Sequence, residues 1–152
     1  MEVYRLSRER FAGILLGRGS ALEGTRWNSV GVEIIYTTEN KSLAMAEVAV
    51  HLTLATLPSD FVMMTIFIPD HVAMREVSLV ELPFNWNAFP YPAVVQVIGD
   101  QFVTENSFCI LKIPSAVTQG EFNYLINPRH PDFSQISIKE ITKFPFDKRI
   151  FK

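Results

Sequence analysis

The chain of 152 residues has one cysteine, no run of lysine or arginine, and no stretch apolar enough to span a bilayer. Cys109 cannot form an intrachain disulfide, and within Phe108-Cys109-Ile110-Leu111 it reads as a buried thiol in a reducing compartment. A net charge of −2 with no basic block leaves no face for direct contact with nucleic acid. No basic-then-apolar leader opens the sequence. The most apolar stretch carries Glu47, His51, Thr53 and Thr56, which argues against a membrane span. A cytoplasmic protein without a membrane partner is expected.

Familiar chemical signatures are missing as well. There is no phosphate-binding loop of the Walker type, no dinucleotide glycine fingerprint after a strand, no HExxH and no CxxC pair. His51, His71 and His130 are not at metal-ligand spacing, so no metal site is expected.

What is present suits a globular fold: 48% hydrophobic and 20% charged residues, with no repeat, linker or low-complexity tract. One domain over residues 1–152 is the simplest organisation. Alternation predicts a first strand over Met1 to Leu6. A glycine-bearing loop follows from Gly17 to Gly31, and then a short β-like run from Glu33 to Thr38. A helix is predicted over Ser42 to Ser59, with Asn40 or Ser42 as cap. Phe61 to Ile68 and Phe108 to Ile113 read as core strands, and Val77 to Leu82 as a weaker one. Pro83 to Pro92 is an aromatic, proline-rich loop. Pro92 then opens a helix over Ala93 to Val103 with Val94, Val97, Ile98 and Phe102 on one face. Asn123 to Pro131 is rich in turn formers, and Ile136 to Phe146 reads as a last strand. Strands and helices mix without a βαβ rhythm, so the class expected is α+β.

Between Lys41 and Asp60 the only charged side chain is Glu47. Leu43, Ala46, Val50, Leu54 and Leu57 share one helical stripe, and Ala44, Met45, Val48, Leu52 and Ala55 make the opposite face apolar too. A helix apolar all round is expected to be buried on most sides. A carboxylate there is costly unless paired, hydrogen-bonded or protonated, and such a cost is tolerated where chemistry needs it.

Four further groups stand out: Arg26 inside Gly24-Thr25-Arg26-Trp27-Asn28, Tyr36 at a strand end, Ser115 after Pro114, and the Asn127 segment. Each has a plain reading. Arg26 could pair with Glu47 for structure alone, Tyr36 could be a core aromatic, and Ser115 a turn cap. Together with Tyr4-Arg5, Ala46-Glu47, Ile113-Pro114-Ser115-Ala116-Val117 and Asn123 through Pro131, they resemble the RES domain across nearly the whole chain. That family is named for an Arg, a Glu and a Ser, which fall here on Arg26, Glu47 and Ser115. Thr25 departs from it, since members often carry a glycine before the Arg.

The resemblance implies a bacterial toxin with a fold like the ADP-ribosyltransferase core, acting on NAD at the bond between nicotinamide and ribose. It implies an Xre-type, DNA-binding antitoxin that covers the pocket, with room for a homodimer inside the complex. No cofactor beyond NAD as substrate is implied, and phosphate could serve as co-substrate. Glu47, Arg26 and Tyr36 would be catalytic, and Arg5, Arg26, Trp27, Tyr36, Ser115 and Asn127 would bind NAD. The chemistry suits these residue types: a carboxylate stabilises an oxocarbenium-like ribose, and arginine matches a pyrophosphate. Ser115 would position rather than attack, with its hydroxyl on a ribose, a phosphate or Glu47 itself, because no histidine stands in a recognisable relation to it. Water, phosphate or a protein could accept the ADP-ribose. A non-catalytic binding module using Trp86, Phe89 and Tyr91 is the remaining alternative.

Overall fold

The computed structural model describes residues 1–151. Seven strands form one sheet: β1 (Glu2–Arg8), β2 (Ile35–Thr38), β3 (Phe61–Phe67), β4 (Met74–Glu76), β5 (Ile110–Pro114), β6 (Phe122–Ile126) and β7 (Ser137–Lys143). Their order is β4-β5-β6-β2-β1-β3-β7, antiparallel except for β4 beside β5. Three helices accompany it: α1 (Arg18–Glu23), α2 (Lys41–Ala49) and α3 (Ala93–Glu105). The class is α+β, as the irregular alternation of strand and helix patterns implied.

The sheet is nearly divided between β1 and β2. β1 pairs with β3 along all of Glu2–Arg8, yet meets β2 only at Tyr4 opposite Thr38. Extending that register would set Arg5 against Thr37 and Leu6 against Tyr36, and no such pairs form. The Tyr36 carbonyl instead accepts from the Arg5 guanidinium at 3.0 Å. A backbone acceptor left without a ladder partner must find another donor, and Arg5 supplies it.

Alternation along the strands sorts side chains into separate cores. Val3, Ile35, Val62, Met64, Ile66, Ile110 and Ile126 pack with residues of the following loops on one side. On the other, Trp27, Val95, Phe102, Leu111, Ile113 and Leu125 form a core under α3, and Leu6, Ala44, Phe61 and Met63 form one under α2.

Several sequence expectations are corrected here. α2 stops at Ala49, well short of Ser59. A second short helical turn at Leu54–Thr56 follows, with Thr53 and Thr56 capping each other. Only Leu43 and Ala44 of α2 are buried, because the helix lies across β1 and β2 with its other side open. The glycine loop contains α1, and the weak strand expected over Val77 to Leu82 lies earlier, at β4, with a single helical turn at Leu79–Glu81. Asn123 to Ile126 belongs to β6 and not to a turn.

α3 also faces the core differently from the stripe Val94, Val97, Ile98 and Phe102. Val95, Gly99, Phe102 and Val103 point inward, while Val94 and Val97 are about half exposed. Gly99 explains the choice: a Cβ there would stand 1.6 Å from the Trp27 carbonyl oxygen, so the helix docks through its one residue without a side chain. No helix among the described residues is long and apolar enough to cross a membrane.

Candidate active site

Glu47 lies on the open side of α2, half-buried rather than sealed from water. The helix begins on an Asn40 cap, whose side chain accepts from the Leu43 amide at 2.7 Å and sets α2 directly after β2. Two neutral donors reach the Glu47 carboxylate. The Ser115 hydroxyl donates to Oε1 at 2.9 Å, and the Asn123 side-chain amide donates to the same oxygen at 2.8 Å. Oε2 has no protein hydrogen bond among the described residues. Glu47 makes no ion pair with Arg26 or with any other cation among them. A purely structural Arg26–Glu47 bridge is therefore not what holds the acid.

Ser115 is buried just past β5, and its oxygen also accepts from the Val117 and Thr118 amides at 3.1 and 3.0 Å. It is a turn cap and a Glu47 donor at once. The two roles agree, since an oxygen that accepts two amide protons turns its own proton toward the carboxylate. Asn123, on β6 beside Ile113 of β5, is the site residue that sequence reasoning missed. Its Oδ1 is buried with no hydrogen-bond partner. The legible signal was parity: in Phe122-Asn123-Tyr124-Leu125 the polar Asn123 shares a face with the buried Leu125.

Arg26 projects from a two-residue turn closed between Thr25 and Asn28, whose backbones bond at 2.9 and 3.4 Å. Its Nη1 donates to the carbonyls of Trp86 at 2.9 Å and Ala88 at 2.7 Å, and the guanidinium stands 5.7 Å from the Tyr91 ring centroid. Burial lowers its pKa, and the charges of Glu47 and of Tyr91 oppose that shift. Glu47 thus acts on Arg26 through its charge alone, with no hydrogen bond or ion pair between them. Arg5 stands at the β1–β2 seam with no carboxylate partner among the described residues, and burial alone lowers its pKa.

The structure sets the other predicted residues apart. Trp27 is 3% exposed and packs in the core beneath α3, its ring 6.3 Å from that of Trp86, so it anchors the turn and has no free face for a ligand. Asn127 is fully buried one residue beyond β6, about 13 Å along the strand from Asn123. Its amide donates to Asn106, and its Oδ1 accepts from the Arg129 amide. It braces the chain end of β6. His130 accepts from the Asp132 amide and caps a short helical turn. Tyr36 donates to Asn28 at 2.5 Å, and burial raises its phenol well above the ordinary range.

Two shallow concavities lie beside or away from this group, and neither is lined by Arg26, Glu47, Ser115 or Asn123. One follows the outer side of α2, lined by Met45, Ala46, Ala49, Val50 and Val117 among others. The second lies between α1 and α3, with Glu33 and Arg129 at its wall.

Of the Arg, Glu and Ser trio, Glu47 and Ser115 meet directly, while Arg26 is bonded to the carbonyls of the aromatic loop. Residues 2–147 match the RES domain over almost the whole chain. The chain belongs to the RES domain family. Among proteins similar to this RES-domain chain is the Prs ADP-ribosylating toxin of a Sphingobium species, 36% identical over 91% of this chain and 87% of that protein. Toxin Res of Yersinia enterocolitica is 34% identical over 99% of both, and Toxin Res of Photorhabdus laumondii 32% identical over 100% and 98%. The chain is a toxin of this family. Its fold resembles that of a chain in the crystal structure of the M. tuberculosis MbcT-MbcA toxin-antitoxin complex. The TM-score is 0.77 at 17% identity, over 95% of this chain and 84% of that one.

Proposed function

We propose that this RES-domain toxin breaks the bond between nicotinamide and ribose in NAD, with Glu47 stabilising the positive charge that develops on the ribose. The carrying observation is the single-sided hold on Glu47: Oε1 is fixed by Ser115 and Asn123, and Oε2 has no protein partner. Neutral donors orient a carboxylate without cancelling its charge, whereas a bound cation would spend that charge before the substrate arrived. Arg26 would meet the pyrophosphate through the guanidinium nitrogens that the loop carbonyls do not use. Arg5 supports it from the seam by holding the Tyr36 carbonyl. The toxin acts in the cytoplasm, where its substrate is, and an Xre-type DNA-binding antitoxin keeps the site covered. The likeness to a toxin found in complex with its antitoxin supports a protein partner of that kind.

A second reading changes only the acceptor. The similarity to a protein named as an ADP-ribosylating toxin supports transfer of ADP-ribose to a protein in place of water or phosphate. Incubating the chain with NAD labelled in the adenylate, with and without phosphate and with and without cell extract, separates these outcomes. Free ADP-ribose marks hydrolysis, a phosphorylated ADP-ribose marks phosphorolysis, and label on a macromolecule marks transfer. Intact NAD under all conditions would overturn the reading and leave a non-catalytic binding module.

A further inference from the structure

Three oxygens meet where the Arg26 turn touches β2. Asn28 Oδ1 is 2.5 Å from the Thr25 hydroxyl and 2.5 Å from the Tyr36 phenol, and the two hydroxyls contact each other as well. The Asn28 amide is fixed in orientation, because its nitrogen donates to the carbonyls of Ser20, Ser29 and Val32. Its Oδ1 therefore only accepts. Two hydroxyl protons then serve three oxygen–oxygen contacts, and both are used inside the cluster, on Asn28 Oδ1 or between the hydroxyls. No proton of Thr25 or Tyr36 is left for a substrate.

The contacts fall on both sides of Arg26. Thr25 and Asn28 are the two ends of its turn, and the Gln96 side chain ties the same two residues from below, donating to their carbonyls at 2.8 and 3.2 Å. Trp27 is locked against Gly99. Of the two residues at the tip, only Arg26 sends its side chain outward.

We propose that Thr25 and Tyr36 are coupled positioning residues, their joined hydroxyls locking the turn that sets the Arg26 guanidinium relative to Glu47. This rests on the NAD reading for its kinetic consequence but not for its structural one. Tyr36 then acts through Arg26 and does not touch the substrate through its hydroxyl.

The test uses Thr25→Val, which keeps the shape and removes the hydroxyl, Thr25→Ser, which keeps the hydroxyl, Tyr36→Phe, and the Thr25→Val/Tyr36→Phe double variant. Steady-state NAD turnover and amide hydrogen exchange of the Thr25–Ser29 segment are both measured. Thr25→Val and Tyr36→Phe should each raise KM by about tenfold with kcat changed less than about twofold, and the double variant should be no worse than either. Thr25→Ser should resemble the unsubstituted chain. Exchange of the turn should quicken in both single variants and no further in the double. Additive losses, or a fall in kcat confined to Tyr36→Phe, would overturn the proposal by making Tyr36 a substrate contact. An unsubstituted chain that leaves NAD intact would sink the functional reading alone, and the exchange data would still decide the brace.

Discussion

Ser115 donates its hydroxyl proton to Glu47 across a sequence separation of 68 residues, at 2.9 Å. The contact joins the end of β5 to the last turn of α2, and the same hydroxyl oxygen caps the turn that follows β5. These contacts suit a positioning serine in the proposed reaction: its proton is directed to an acid, no histidine is hydrogen-bonded to it, and its oxygen accepts from two backbone amides.

Glu47→Gln tests the acid with little disturbance. The amide keeps an Oε1 acceptor for Ser115 and Asn123, so the fold should persist, with a melting temperature within about 3 °C of the original. NAD turnover should fall by roughly two to three orders of magnitude, as when one electrostatic stabiliser of a transition state is lost. Full turnover by the folded variant would remove Glu47 from the mechanism.

Arg26→Ala tests whether the same guanidinium holds both a ligand and the aromatic loop. One of its nitrogens bonds the Trp86 and Ala88 carbonyls, so its removal frees residues 83–92 from their only side-chain hydrogen bonds to the Thr25–Asn28 turn among the described residues and leaves the Trp86–Trp27 ring contact. Limited proteolysis should cut that loop markedly faster, while the core, built on Trp27 and α3, stays resistant. NAD affinity should weaken by about tenfold to a hundredfold for loss of a charge-assisted contact. Unchanged proteolysis would show that the loop is held by other contacts.

Much of the fold was legible where one physical rule dominated. β1, β3, β5 and β7 follow alternation or apolar runs, and α3 starts at Ala93, directly after Pro92. α2 misled because composition does not report position in the fold: its apolar flanks imply burial on all sides, yet the helix lies on a sheet seam with one side open, where Glu47 emerges. The inward face of α3 was misread because the pattern favoured large side chains, while packing chose Gly99 for close approach. Within the site, Glu47 and Ser115 were found through their motifs. Asn123 was hidden among turn formers, and Trp27 and Asn127 carried motif weight that the structure spends on packing and bracing. Sheet order, and with it the gap between β1 and β2, depends on long-range pairing that local periodicity does not encode.

Cys109 gives a prediction tied to pH. Burial, with a smaller contribution from Asp132, pushes its thiol up to about 12 from an ordinary 9.0. The folded chain therefore keeps a proton that the unfolded chain releases first. That contribution to stability is whole below about pH 9 and shrinks as pH rises, until it is gone near pH 12. Native protein at about pH 8 should resist iodoacetamide and react only in denaturant. Cys109→Ala should flatten the loss of stability between about pH 9 and 11, as followed by denaturant midpoints. Rapid alkylation of the native chain would contradict the burial.

Asn123 offers the sharpest separation of stability from function. Its amide nitrogen holds Glu47, while its Oδ1 is buried without a donor, which costs about 1–3 kcal/mol by the usual price of an unsatisfied acceptor. Asn123→Leu fills nearly the same volume and removes both the bond and the orphaned oxygen. Stability should stay level or rise, because the lost hydrogen bond contributes only about 1 kcal/mol net. Activity should nonetheless drop by about tenfold, since Glu47 would then be oriented by Ser115 alone. Ser115→Ala should behave oppositely on stability: it strips two backbone amides of their acceptor and should cost about 1–2 kcal/mol as well as activity. Chemical denaturation alongside NAD turnover distinguishes the two. If Asn123→Leu were clearly destabilised with activity intact, Asn123 would be a packing residue, and the hold on Glu47 would belong to Ser115.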